Sequence, residues 1–450
     1  MHSHAVPKKE RAWIVAVDMG YGHERAAYAL RDLAGPQGYI IANNYPGIPR
    51  EDKRMWHEGK SVYESISRLK PLPVIGPYIF EVLDSLQRIP QFYPRRDLSK
   101  PSLQVSQTYS LIEKRGLGRD LVERLREHPD RPLVSTFFIP AFAAEIYDYP
   151  NDIYMVVCDA DMSRAWVAKD PKKSRIKYFA SNGRVVERLK LYGVPEKNIF
   201  LTGFPMPKEL IGGPGSAIIK RDMSNRLCNL DPSGAFRTRY AETLDLFLGN
   251  KYCPAKADHP LTITFCVGGA GAQKQLGINI CRSLRRRLKH HDVQINLVAG
   301  VRKEIAQFFR DEVKALGLGK EIGKSVNIML AADRPAYFRE FSQLLRTTDI
   351  LWTKPSELSF YTGLGIPLIL APSVGSQEDF NRLWLQQVGG GVAQNDEQYT
   401  DEWLFDWLQS GGLARMAWNG FIEAPTHGTY RIEDVIFKRP SELELPSMIV

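Results

Sequence analysis

Four short stretches of the sequence combine residue types and spacings that can do chemistry. In "VDMGYGHERAAYAL", residues 17–30, an apolar run meets Gly20, Gly22 and His23 and then a helical pattern. Glycines let a backbone approach a charged ligand closely, and imidazole titrates near neutrality, so His23 suits proton transfer. The plainer alternative is a tight connection in which His23 packs or binds a phosphate. In "CVGGAGAQK", 266–274, Gly268, Gly269 and Gly271 precede Gln273 and Lys274. Backbone N–H groups at such a helix start can hold a diphosphate; the alternative is a turn that needs positive φ. In "SVGSQEDFN", 373–381, Gln377 and Glu378 open a helical stretch and Asn381 follows one turn on. They can hydrogen-bond a hydroxyl-rich ligand, or form only a first turn capped by Ser376. "CDAD", 158–161, sets Asp159 two residues before Asp161. On a strand both carboxylates would share a face and could reach one cation.

The elements that must position these residues follow an alternating rhythm. Short apolar runs occur at 12–17, 38–43, 133–138, 153–158, 176–181 and 198–203. A second series occupies 261–267, 293–299, 326–330, 349–352, 367–371 and 391–393, with helical stretches such as Gln273–His290 and Arg302–Leu316 between most of them. Continuous apolar runs of this length fit parallel strands buried on both faces. The pattern predicts an α/β fold of two doubly wound, Rossmann-like domains facing a cleft. The first domain is expected over 1–212 with a helical, aromatic insertion at about 50–130, and 213–256 as a linker. The second is expected over 257–425, with a tail at 426–450 returning to the first. Both glycine turns then lie beyond the carboxyl ends of strands, where such sheets bind ligands.

At 450 residues the chain exceeds one ordinary core. Sixty basic against 51 acidic residues give +9, a mild excess that suits anionic partners such as phosphorylated sugars or an anionic lipid surface. Nucleic acid is not expected, since zinc spacing, an RNP-like motif and a basic helix are not evident. The sequence has no apolar run long enough to span a membrane, and "MHSHAVPKKE" lacks the apolar core of a secretory signal. These features predict a cytoplasmic protein. Cys158, Cys228, Cys253, Cys266 and Cys281 show no CxxC pairing and are expected as reduced thiols. Residues 71–98 mix aromatics with Arg88, Arg95 and Arg96. They read equally as a segment lying on an anionic bilayer or as a helical subdomain with core aromatics.

Several of these motifs together resemble a known family. Gly20-x-Gly22-His23-x-x-Ala26-Ala27-x-Ala29-Leu30 resembles the opening loop of galactolipid and glucolipid (monogalactosyldiacylglycerol) synthases. It is also similar to the transferase that adds N-acetylglucosamine in peptidoglycan synthesis. These are GT-B glycosyltransferases that use UDP-sugars. "SNGRVVERLKLYGVPEKNIFLTGFPMP", 181–207, resembles the family's passage closing the first domain. "TKPSELSFYTGLGIPLILAPSVGSQEDFN", 353–381, resembles its donor-binding region. The motifs fall in the family's order and span most of the chain, apart from roughly 45–130 and 206–260.

The resemblance implies a hexosyltransferase that moves a sugar from a nucleotide donor, a UDP-sugar, to a hydroxyl acceptor such as a lipid. His23 is then the general base and Gly20 and Gly22 its acceptor-side loop. Asp159, with Trp166 further along, lines the cleft rather than binding a metal. Gly268, Gly269, Gly271, Gln273, Lys354, Glu357, Gln377, Glu378 and Asn381 form the donor site, with no metal or other cofactor. One position departs from the family. Its ribose-binding glutamate lies five residues before the glycine of "GLP", and counting back from Gly365 gives Phe360. Glu357 is the candidate replacement. An altered donor, an epimerase or hydrolase on the same fold, and a non-catalytic binding protein remain the alternatives.

Overall fold

The computed structural model describes residues 11–58, 89–249, 252–253, 257–266, 273–373, 376–444, 446 and 448. Its chain divides into two compact units, Met1–Met206 with Val374–Asn381 and His427–Val450, and Pro207–Ser373 with Arg382–Thr426.

The first unit carries β1 (Trp13–Ala16), β2 (Ile40–Ile41), β3 (Leu133–Ser135), β4 (Ile153–Val156), β5 (Lys177–Ala180) and β6 (Ile199–Leu201). They form one sheet in the order β2-β1-β3-β4-β5-β6, parallel throughout. All four residues of β1 and all four of β4 are buried, as strands covered on both faces require. Helices α1 (Tyr21–Ala29), α2 (Phe138–Ile146) and α3 (Gly183–Leu191) follow β1, β3 and β5. Phe142 of α2 and Leu189 of α3 are core residues. From β1 the chain steps outward to β2, then returns to the other side of β1 to begin β3. Strand order therefore reverses between β1 and β3, the place where open α/β sheets hold ligands.

The second unit repeats the plan with β7 (Thr262–Cys266), β8 (Gln294–Gly300), β9 (Val326–Leu330), β10 (Ile350–Thr353), β11 (Leu368–Leu370) and β12 (Gly391–Ala393). Its order is β12-β11-β10-β7-β8-β9, again all parallel, so the reversal lies between β7 and β10. Both units are Rossmann-like.

The stretch 213–256, expected as a linker, contributes helices to the second unit. Helix α4 (Ala217–Leu230) and the shorter Ala235–Arg239 and Ala241–Leu248 supply Met223, Leu227, Leu230, Phe236 and Leu244 to its core. Arg226 on α4 is fully buried and donates to the backbone oxygens of Thr348, Leu364 and Leu345 at 2.6–2.8 Å. Those three donor bonds compensate the burial of its charge. The expectation of five reduced thiols is also corrected, because Cys228 on α4 is disulfide-bonded to Cys253, with Cα atoms 5.1 Å apart. The partners lie 25 residues apart, a distance that leaves no local signature. Cys158, Cys266 and Cys281 are buried.

At the amino edge of the second sheet, His259 sits between two carboxylates. Its Nδ1 lies 2.5 Å from Asp258 Oδ1 and its Nε2 3.2 Å from Asp349 Oδ1. Asp349, fully buried, also accepts from Asn229 Nδ2 and the Thr262 N–H at 2.9 and 2.8 Å. Burial works against charge on His259, but the Asp349 and Asp258 carboxylates outweigh it and its pKa is raised. Burial pushes the Asp349 carboxyl up, and the bond and charge from His259 pull it back. Asn229, Thr262 and His259 thus converge on the two oxygens of Asp349.

Residues 427–450 belong to the first unit, where helix α6 (Gly428–Ile436) packs; α5 is Ser376–Val388. Thr429 Oγ1 donates to Met206 O at 2.6 Å and Arg431 Nη1 to Thr202 O at 3.2 Å. Gly428 is required there, since a Cβ would come within 2.3 Å of the Phe204 carbonyl oxygen.

Candidate functional site

In the first unit, the β1–α1 turn is held by Asn43, which follows β2. Asn43 Oδ1 accepts from the Asp18 N–H at 2.8 Å, and its Nδ2 donates to Asp18 O at 3.2 Å. Gly20 precedes α1 with φ 106° and ψ −176°, a conformation that strains any residue with a side chain. Gly22 lies within α1 and does not share that conformation.

His23 falls in the first turn of α1 and is half-buried. Its ring meets Phe137 edge-on at 5.0 Å and Trp166 at 5.8 Å. Phe137 immediately precedes α2, so His23 and Phe137 come from the two connections that flank the strand reversal. Phe138 and Trp56 extend the wall, at 5.6 Å from Trp166 and 6.3 Å from Phe137 respectively. Such packing fixes the plane of the imidazole and shields one side of it from water.

Asp159 lies beyond β4, since that strand ends at Val156. The shared-face argument for "CDAD" therefore does not hold. Asp161 is fully buried and committed elsewhere: Arg188 Nε and Nη2 donate to its two oxygens at 2.8 and 2.9 Å, and Arg184 Nε donates at 2.7 Å. Asp159 is half-buried, and its Oδ1 accepts from Asn381 Nδ2 at 3.0 Å. Asn381 Oδ1 in turn accepts from the Ala160 N–H at 2.8 Å. Asn381 is 1% exposed, so its carboxamide works as a clamp on the Asp159 loop. Ser181 Oγ completes that clamp by donating to Asp159 O at 2.7 Å. Among the described residues no group of three His, Cys, Asp or Glu could hold a metal ion.

The second unit presents a different set. Lys354 follows β10 at the strand reversal and is half-buried, as is Glu357 at the start of the 3-10 helix Glu357–Leu364. Ser356 caps that helix, its Oγ accepting from the Leu358 N–H at 3.4 Å. Phe360 is 1% exposed and packs on Trp384 with ring centroids 4.8 Å apart. At this position the chain has core, with no polar group directed at a ligand. Gln273 Nε2 donates to Pro372 O at 3.0 Å, joining the residues after β7 to those after β11. Gly268, Gly269 and Gly271 lie outside the described residues, as do most of 71–98. Of that latter segment, Phe92 is buried under Arg184 and Arg188, and Arg95 pairs with Glu187 at 3.0 Å.

Gln377 and Glu378, half-buried in the first turn of α5, fall with Asn381 in the first unit, whereas Gln273, Lys354 and Glu357 fall in the second. The Asn381 bonds to Asp159 and Ala160, and the Arg184 guanidinium 5.3 Å from the Phe380 ring, account for that assignment. Sequence reasoning missed Phe137, Trp56 and Asn43. The "STFF" end of β3 and the asparagines after "GYIIA" were the available signals.

No protein-family model and no curated protein matches the sequence. Among solved structures, the chain is similar to MnaA from S. aureus, solved with UDP, at 10% identity and a TM-score of 0.48, over 97% of this chain and 99% of that one. A UDP-GlcNAc 2-epimerase from Neisseria meningitidis, bound to UDP-GlcNAc, aligns at 10% identity and 0.42, over 76% and 82%. A glycosyltransferase from Rickettsia africae ESF-5 aligns at 11% and 0.40, over 72% and 81%. Likeness at this distance does not carry activity from one chain to another.

Proposed function

We propose that this protein is a glycosyltransferase that moves a sugar from a nucleotide donor, a UDP-sugar, to a hydroxyl acceptor. One observation supports the reading above others: His23 and the Lys354–Glu357 turn each stand at the carboxyl edge where their own sheet reverses strand order. His23, oriented by Phe137 and Trp166, takes the acceptor proton as its oxygen attacks the anomeric carbon. The leaving diphosphate is stabilised by N–H groups of the glycine turn at 268–271 and by Lys354. Glu357 accepts from the ribose hydroxyls, and Gln377 and Glu378 hydrogen-bond the sugar. Asp159 lines the acceptor side, and Asn381 positions it. The chemistry needs no metal or other cofactor. Among the described residues no helix is long and apolar enough to cross a membrane. We assign the protein to the cytoplasm, with a lipid among the acceptors to be tested.

One observation favours a second reading. Phe360 is core where the resemblance calls for a ribose-binding glutamate, and a GT-B-like binding protein without turnover would account for it. Calorimetry with UDP and UDP-sugars, followed by product assays on wild type and His23→Ala, separates the two. UDP binding with transfer to an acceptor, abolished in the variant, supports the transferase. Absence of UDP binding removes the donor assignment, and binding without turnover favours the binding protein. Epimerised or hydrolysed sugar without acceptor selects the remaining enzyme alternative.

A further inference from the structure

The disulfide of the second unit has a charged neighbour and an open approach. Cys228 and Cys253 are both half-buried. Arg237 Nη1 donates to Cys253 Sγ, and the rest of that guanidinium is held in place. Its Nε donates to Asp231 Oδ2 at 3.1 Å and its Nη2 to Asp231 O at 2.8 Å. Asp231 is fully buried and also accepts from the Phe236 and Arg237 N–H groups at 3.1 and 2.9 Å. Cys253 lines a cavity of about 590 Å³ together with Arg237, Thr238, Ala241, Asp245 and Tyr252. Thr238 and Asp245 are exposed, so the cavity opens to water beside the sulfur.

On its other side the bond is tied to α4, and α4 to the carboxyl edge of the sheet. Arg226, two residues before Cys228, donates to Leu364 O, at the end of the 3-10 helix that Glu357 begins. Met223 of the same helix packs at Gly365, where an added Cβ would come within 2.4 Å of its Sδ. Asn229, next to Cys228, donates to Asp349 Oδ2 at 2.9 Å and to His259 O at 3.1 Å. The disulfide thus anchors the end of a helix against which Glu357–Leu364 is seated.

We propose that the Cys228–Cys253 bond is a reducible link, opened by a dithiol entering this cavity, and that its state sets how firmly α4 holds the Glu357–Leu364 helix. One thiolate of the dithiol attacks Cys253 Sγ, the S–S bond breaks, and Cys228 leaves as a thiolate that takes a proton from water. The second thiolate of the dithiol then attacks its own sulfur in the mixed disulfide, and Cys253 leaves as a thiolate beside Arg237. Two electrons pass to the protein, and the dithiol is oxidised to its own disulfide. Of the dithiol's two protons, one is balanced by that on Cys228 and the other remains in solvent. A guanidinium at Cys253 favours both steps, since it attracts the attacking anion and stabilises the departing one. A bond sealed in the core would have neither advantage, and half-exposed bonds of this kind are the labile ones.

Reduction of the air-oxidised full chain by dithiothreitol, followed by alkylation and mass spectrometry over time, tests it. The bond should open in the folded protein, while the buried Cys158, Cys266 and Cys281 stay unalkylated. Arg237→Gln should slow the reaction about tenfold. Because that variant also loses the Asp231 pair, Thr238→Trp serves beside it: filling the cavity mouth should slow reduction at an unchanged melting temperature. In hydrogen exchange, residues 217–230 and 357–364 should open about tenfold faster or more in the reduced protein than in the oxidised one. None of these readouts depends on UDP binding or turnover. Two unlinked thiols at 228 and 253 after air oxidation would overturn the proposal. So would reduction only together with alkylation of the three buried cysteines, wild-type rates in both variants, or identical exchange at 357–364 in the two redox states.

Discussion

Where the first sheet reverses strand order, the residues that gather are aromatic, with one imidazole among them: Phe137, Trp166 and Trp56 around His23. Where the second reverses, they are polar and half-buried, Lys354 and Glu357, while Phe360, on the helix that Glu357 begins, is buried against Trp384. Two parallel six-stranded sheets, each with one reversal of strand order, thus carry unlike side chains at their reversal points. Under the proposed function, the first would hold and deprotonate a neutral hydroxyl group, and the second would hold an anion with hydroxyls. The proposed division of labour would follow from which side chains stand at the carboxyl edge, since both units are parallel sheets with one reversal of strand order.

The comparison can be broken most severely at His23. His23→Ala should lower turnover about 10²–10⁴-fold while leaving UDP affinity unchanged, measured by initial rates and calorimetry. Phe360→Ala should cost about 3–5 kcal/mol in denaturant melts by opening a cavity against Trp384. Phe360→Glu should be no better, because it places a charge in core and restores no ribose contact. A stable Phe360→Glu variant that binds UDP more tightly would show that the position faces ligand.

Asn381→Ala should cost about 1–3 kcal/mol, since the Ala160 N–H and Asp159 lose their partner. Hydrogen exchange should show faster opening of residues 158–162 in that variant and little change around Lys354. The smallest effect concerns the opposite, amino edge of the second sheet. The folded-state pKa of His259 lies above its unfolded value of about 6.5. The stability it contributes is therefore fully present below about pH 6.5 and is lost as pH rises through the folded pKa. Melting curves across that window should slope downward in wild type and flatten in His259→Gln.

Much of the fold was legible in the sequence because a parallel strand buried on both faces must be an unbroken apolar run. "AWIVAV" and "LTITFCV" announce β1 and β7 without any knowledge of their neighbours. Residues 213–256 were not legible as part of the second unit. Met223, Leu227 and Leu230 are amphipathic at helical spacing, but what they pack against lies far along the chain. The disulfide was hidden for the same reason.

At the candidate site, His23 could be picked out by its glycines, whereas the aromatic wall could not, because Phe137 is separated from it by more than a hundred residues. Asn381 was visible as a polar residue in a motif. That it serves as a clamp depends on where its two hydrogen bonds end, which sequence does not contain.

The central claim is that the second sheet's reversal binds the nucleotide while the first carries the base. Calorimetric titration of UDP into wild type, Glu357→Gln and His23→Ala tests it most directly. The account predicts binding by wild type, binding weaker by about tenfold or more in Glu357→Gln, and wild-type affinity in His23→Ala. No UDP binding by wild type, or equal losses in the two variants, would contradict it.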